Sequence, residues 1–232
     1  MVPYSSISNE PLLHRDGTTL ATPSKIHRAG LHGLNGFGLG DMIECGRAIR
    51  DLAQTSSSME EAARLLVSYF HRTLAAKSSG QPDCALVRFF KTHPLGGLPL
   101  SLQEKAHGVM QRRGASPADD LPCLTLIASA GDQAAWNSRS NSATHGVIPL
   151  ENIEVVERAP MISQLLRQMG LETGSVLAPT EELLLQADER AYGVFHVADA
   201  VGSPFIPAQE DFVLKFGIKS VLGFGGLLIL AF

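Results

Sequence analysis

The chain has 232 residues, 44% of them hydrophobic and 18% charged, proportions of an ordinary folded protein that argue against disorder and fibrous repeats. Its 19 basic and 23 acidic residues are spread along the sequence and leave a net charge of -4. That balance lacks the concentrated basic surface that phosphate backbones need, which argues against nucleic acid as a partner.

Residues 1–40 mix Ser, Pro, Gly and His without apolar periodicity and read as a flexible leader to a single domain over residues 41–232. The leader lacks the basic region and apolar run of a signal peptide. Its glycine-rich end, GLHGLNGFGLGD, invites a phosphate-loop reading, but no strand precedes it and neither dinucleotide nor Walker spacing is present, so it reads as a lead-in. Asp41 has the chemistry of an N-cap, and Met42, Cys45, Ala48, Ile49 and Leu52 follow it at helical spacing. A second helix opens with Ser57 and Glu60, or Ser58 and Glu61, in capping-box spacing. It places Ala62, Leu66, Tyr69, Phe70 and Leu74 on one face.

After the turn-rich KSSGQPD, the run CALVRFFKT (84–92) predicts a buried strand. A polar stretch holding Gly114, Ser116, Pro117, Asp119 and Asp120 leads to a second strand, CLTLIASAGD, and HGVIPL reads as a third. Pro160 and Gly170 bracket a helix over MISQLLRQM. SVLA, a helical EELLLQADE, the strand YGVFHV, a helix from Pro207 to Phe216 closed by Gly217, and the strand IKSVLGF complete an α/β pattern in which neighbouring strands need not be parallel. The terminal SVLGFGGLLILAF is shorter than a spanning helix and reads as core strand, with no membrane insertion. Cys45, Cys84 and Cys123, odd in number and far apart, fit reduced buried thiols and a cytoplasmic compartment.

Four stretches together resemble the GAF domain, a sensor module of bacterial signalling proteins. They are the leading helix with EEAARLLVSYFHRTL and CALVRFFKT, the strand and turn CLTLIASAGD, the segment VFHVADAVGSPFIPAQEDFVLKFGI, and IKSVLGFGGLL. The similarity covers roughly residues 42–228 and is closest to N-terminal input domains of hybrid histidine kinases and diguanylate cyclases. It implies a central antiparallel sheet flanked by helices, a homodimer formed through terminal helices, and an output domain or protein of histidine kinase or diguanylate cyclase type as partner. Kinase boxes and a GGDEF-type signature are not recognisable. The family's last strand is followed by a turn and a return strand, whereas ILAF follows at once here, so the final hairpin reads as shortened.

The expected function is that of a non-enzymatic sensor in which a small ligand favours one of two conformations. The loop AWNSRSNSATHG concentrates Trp136, Asn137, Arg139 and His145, chemistry suited to a small anionic or aromatic ligand. The plainer reading is a solvated connection whose tryptophan covers the core edge. Arg88, inside an apolar strand, is either exposed on an edge, which is the simpler case, or turned towards a buried carboxylate or ligand. His196 in VFHV and His145 are placed to enter a pocket, although a hydrogen-bonded structural histidine is the simpler account. No metal-ligand spacing is present, and the cofactor is left unidentified. The resemblance also admits a bilin, but Gly, Ala and Leu follow the three cysteines where a Cys-His dipeptide is usual. The phosphodiesterase cyclic-nucleotide signature is not recognisable either. Two alternatives stand beside the sensor: a GAF-fold methionine sulfoxide reductase, which needs an attacking and a resolving thiol within reach, and a ligand-free dimerisation module.

Overall fold

The computed structural model describes residues 30–139, 146–157, 160, 162–164 and 192–226. Helix α1 (Leu39–Thr55) begins behind an extended Gly38, two residues before the expected cap. Asp41 is instead the third residue of the helix, and its Oδ2 accepts the Gly38 N–H at 3.0 Å, satisfying a donor that the helix start leaves over. Cys45 is the buried residue of α1, while Ala48, Ile49 and Leu52 are half-buried and Met42 is exposed. The end of the expected leader is part of the folded unit. His32 is 1% exposed, and its N–H donates to the Thr73 carbonyl at 2.7 Å.

Helix α2 (Met59–Thr73) has the predicted polar start in a modified form. Ser58 Oγ accepts the Glu61 N–H at 3.1 Å, while the Glu61 carboxylate reaches past the cap to the Ser57 N–H and hydroxyl, at 2.8 and 2.6 Å. Ala63, Val67, Tyr69 and Thr73 form its buried side. Ala62, Leu66, Phe70 and Leu74 are half-buried, so the face is turned by about one residue from the expected one.

Strands β1 (Leu86–Pro94), β2 (Pro122–Gly131) and β3 (Val147–Pro149) match the three predicted runs and form an antiparallel sheet in that order. Between β1 and β2 lies a helix absent from the sequence reading, α3 (Leu100–Gln111), which buries Ala106 and Met110. The β1–β2 register runs from Leu86 opposite Gly131 to Pro94 opposite Pro122, with a shift at Phe89/Phe90 that leaves Ile127 as an extra residue in β2. Residues directly opposite share a face. Val87, Phe89, Ala128 and Ala130 therefore point together towards Ala63 and Val67 of α2, and Cys123 and Val147 pack with Leu95, Leu98 and Ala106 beside α3. Burying a side chain such as Val67 contributes about 1.5–3 kcal/mol to this attachment. Both helices lie on one face, and the opposite face carries Leu86, Arg88, Phe90, Leu124, Leu126, Ser129 and Gly131. A short helix α4 (Ile153–Glu157) follows β3.

Strands β4 (Tyr192–Val197) and β5 (Val221–Gly226), also predicted, pair antiparallel as a separate two-stranded sheet. Phe195 and Val197 turn inward onto Ala200, Ile206 and Val213, and Val194 and His196 alternate outward. The helix expected from Pro207 is a π-helical turn over Gln209–Leu214, closed at Gly217 with φ of 62° as its position implied. Gln209 ties the preceding loop together, donating to the carbonyls of Ala200 and Ile206 at 3.1 and 2.7 Å and accepting the Gly202 N–H at 2.8 Å.

The architecture is mixed α/β with antiparallel strands, and among the described residues these form two sheets. Among the described residues the strands do not form the single central sheet that the resemblance implies. Most of the expected helix over MISQLLRQM, the SVLA and EELLLQADE segments, His145 and the terminal ILAF lie outside the described residues. Among the described residues no helix is long and apolar enough to cross a membrane.

Candidate functional site

Arg88 and Ser129 sit directly opposite each other on β1 and β2, and both point to the face away from α2 and α3. Arg88 Nε and Ser129 Oγ are buried side-chain atoms without a hydrogen-bond partner among the described residues. Burial pushes the Arg88 guanidinium below the ordinary arginine range, the sign of a cation short of solvent and of counter-charge. Buried polar groups in folded proteins are almost always satisfied, so two orphaned atoms on facing residues mark a place where a further group belongs.

Two pairs further along the strands, at Gly131, roughly 7 Å away, Trp136 covers the same face. A side-chain carbon at Gly131 would lie 2.9 Å from the Trp136 ring and 2.9 Å from the Ala85 carbonyl oxygen, so only glycine admits the indole there. Asn137 holds this turn in place, accepting the Gly131 N–H at 2.9 Å and donating to the Gly131 carbonyl at 3.0 Å. Trp136 in turn meets Phe216 and Phe212, with ring centroids 4.6 and 5.8 Å away. The result is an aromatic wall next to a half-buried guanidinium and a hydroxyl, a combination that suits a small anion with an apolar or planar body.

Of the other predicted residues that are described, Arg139 and His196 are not assembled here. Arg139 reaches Glu60 at 2.8 Å in an exposed ion pair. His196 is exposed on β4, opposite Leu222. The cysteines are free; Cys84 precedes β1, whereas Cys123 stands opposite His93 at the other end of the β1–β2 hairpin. That separation of roughly 25 Å at the strand rise rules out a disulfide between them in this fold. Burial pushes the Cys123 thiol up to about 11, and burial, then Asp83 and Asp132, raise that of Cys84. Among the described residues no group of three or more His, Cys, Asp or Glu is arranged to hold a metal ion.

A second cluster went unnoticed in the sequence. His32 Nδ1 lies 3.0 Å from Asp41 Oδ1, His32 Nε2 lies 3.3 Å from the Tyr69 hydroxyl, and that hydroxyl lies 3.6 Å from Cys45 Sγ. Lys77 Nζ closes the outer end on Asp41 at 2.8 Å. The Gly38 N–H, Lys77 and His32 together hold the Asp41 carboxyl far below the usual carboxylate range. Burial and the Cys45 contact drive the Tyr69 phenol well above its ordinary value. His32, Asp41, Cys45 and Tyr69 are separated in sequence and meet only because the segment before α1 folds across α1 and α2; the glycines around His32 were the one local hint.

Neither models of known protein families, nor curated proteins, nor solved structures give a match to this chain.

Proposed function

We propose that the chain is a non-enzymatic regulatory domain of GAF type that binds a small anionic ligand on the sheet face opposite α2 and α3. The observation that carries this reading is the facing pair of unpartnered buried atoms, Arg88 Nε and Ser129 Oγ. A carboxylate or phosphate oxygen accepts from both, and the charge-assisted bond to guanidinium is the stronger of the two. Trp136, fixed by Asn137 and Gly131, supplies a rigid apolar surface for the rest of the molecule. The contacts of Trp136 with Phe212 and Phe216 reach the π-helical turn before β5, so occupancy on β1–β2 is felt by the C-terminal hairpin. In this reading the ligand selects one packing of that aromatic contact. The output partner is of histidine kinase or diguanylate cyclase type, and α1, whose Leu39, Met42 and Ile43 are exposed, is the surface through which a homodimer forms.

Native mass spectrometry of the protein purified from cells tests the proposal. The unsubstituted chain is expected to carry a stoichiometric acidic small molecule that is missing from Arg88→Met and retained by Arg139→Ala. A bare unsubstituted chain, or equal loading of Arg88→Met, refutes the site.

A further inference from the structure

The chain Asp41–His32–Tyr69–Cys45 can be hydrogen-bonded in two directions without moving a heavy atom. In one, Tyr69 donates to His32 Nε2 and His32 Nδ1–H donates to Asp41, with the Cys45 thiol turned to donate to the Tyr69 oxygen rather than accept from it as the structure has it. In the other, His32 carries both ring protons, Nε2–H donates to the Tyr69 oxygen, and the phenol donates to a Cys45 thiolate. Moving two protons along the chain converts the first into the second, and every member keeps a partner in both. The cluster is nearly dry: His32, Tyr69 and Cys45 are 1%, 3% and 6% exposed. The titratable and charged groups facing it are Asp41, Glu44 and Cys45 from α1, Tyr69 from α2 and Lys77 just beyond α2. Among the described residues neither Cys84 nor Cys123 is hydrogen-bonded to such a base: Asp83 and Asp132 lie near Cys84, and Cys123, opposite His93, donates to the Leu121 carbonyl at 3.6 Å.

We propose that Cys45 is an oxidant-responsive modification site, whose thiol proton is drawn through Tyr69 to His32 and whose target is a small hydroperoxide. The thiolate sulfur attacks one peroxide oxygen; an S–O bond forms as the O–O bond breaks. Sulfur is oxidised to sulfenic acid while the peroxide is reduced, and the departing hydroxide takes the proton stored on His32 and leaves as water. Tyr69 and His32 are positioning residues for this step, and Asp41 holds the imidazole in the productive tautomer. The added oxygen occupies the place of the Tyr69 contact, so oxidation loosens the segment around His32 from α1 and α2. This inference is independent of the anion site on the sheet.

The full chain is exposed to hydrogen peroxide, trapped with dimedone, and the three cysteines are quantified by peptide mass spectrometry. Accessibility alone favours Cys84, which is half-buried, over Cys45. The relay reverses that order: Cys45 reacts about tenfold or more faster than Cys84. Tyr69→Phe is expected to slow Cys45 about tenfold and leave Cys84 unchanged. Cys123, at 0% exposure, reports folding, since its labelling betrays a disrupted core. A Cys45 rate no greater than that of Cys84 in the unsubstituted chain overturns the proposal, whatever the variants do. So does a Tyr69→Phe variant that keeps the Cys45 rate while Cys123 stays unlabelled.

Discussion

Replacing Arg88 by Met is expected to make the ligand-free protein more stable. Methionine keeps the unbranched apolar stem of the side chain, while the arginine Nε is buried without a partner among the described residues. An orphaned buried polar group costs about 1–3 kcal/mol; the half-buried setting of Arg88 points to the lower end, about 1 kcal/mol. Ser129→Ala relieves a similar sum for its hydroxyl, and because the two residues face each other their effects are not additive. For a chain of this length 1 kcal/mol raises Tm by about 2–4 °C. The assay is thermal and urea unfolding of protein refolded from denaturant, which strips bound molecules, followed by the fluorescence of Trp136, the one tryptophan in the sequence. Adding ligand reverses the order, because the unsubstituted protein gains about 2.7 kcal/mol at a hundredfold excess over Kd and the variant gains nothing. A loss of about 1 kcal/mol or more in ligand-free Arg88→Met would refute the reasoning, since it would mean that Arg88 already has the partner this reading denies it.

Gly131→Ala is expected to destabilise the fold by about 1–3 kcal/mol and to shift Trp136 emission to the red, because its new carbon meets the Ala85 carbonyl oxygen and the indole, both at 2.9 Å. An unchanged melting curve would show that the turn carrying Trp136 is looser than its hydrogen bonds indicate. Stability is also expected to fall in acid as Asp41, with an ordinary value of 3.8, loses its charge. Its folded value lies below the unfolded one, so its contribution is complete above about pH 4 and lost on titration downward; urea midpoints across that range should fall less steeply in Asp41→Asn.

The parts of the fold legible in the sequence are those whose apolar residues are contiguous. CALVRFFKT, CLTLIASAGD, HGVIPL and YGVFHV each overlap one of the strands β1 to β4, and Ser58 with Glu61 marks the start of α2. Helix α3 escaped because its burial rests on Ala106 and Met110 while Leu100 stands 75% exposed, and its N-terminus follows Pro99 without a side-chain cap. Asp41 was recognisable as a helix-start residue, but whether it caps from outside or reaches back from the third position depends on Gly38, which has no side chain to offer. Arg88 is legible as a charge in an apolar strand, but neither its burial nor its pairing with Ser129, fixed by strand register, can be read from the sequence. His32, Tyr69 and Cys45 lie beyond sequence reasoning for a different reason: nothing local signals contacts spanning 37 and 24 residues.

The extra residue Ile127 acts on β2 as a change of phase. Ahead of it the odd-numbered Cys123 and Thr125 face the helices; beyond it the even-numbered Ala128 and Ala130 do. Regular pairing through Ile127 would have brought Ser129 opposite Val87 under α2 and Ala128 opposite Arg88, giving a greasy core interrupted by a hydroxyl and a cation beside a methyl group. One bulged residue thus lets a single ten-residue strand serve two masters, a packed interior and a polar floor, whereas straightening the bulge with Ile127 kept in line would exchange the two along the distal half of β2.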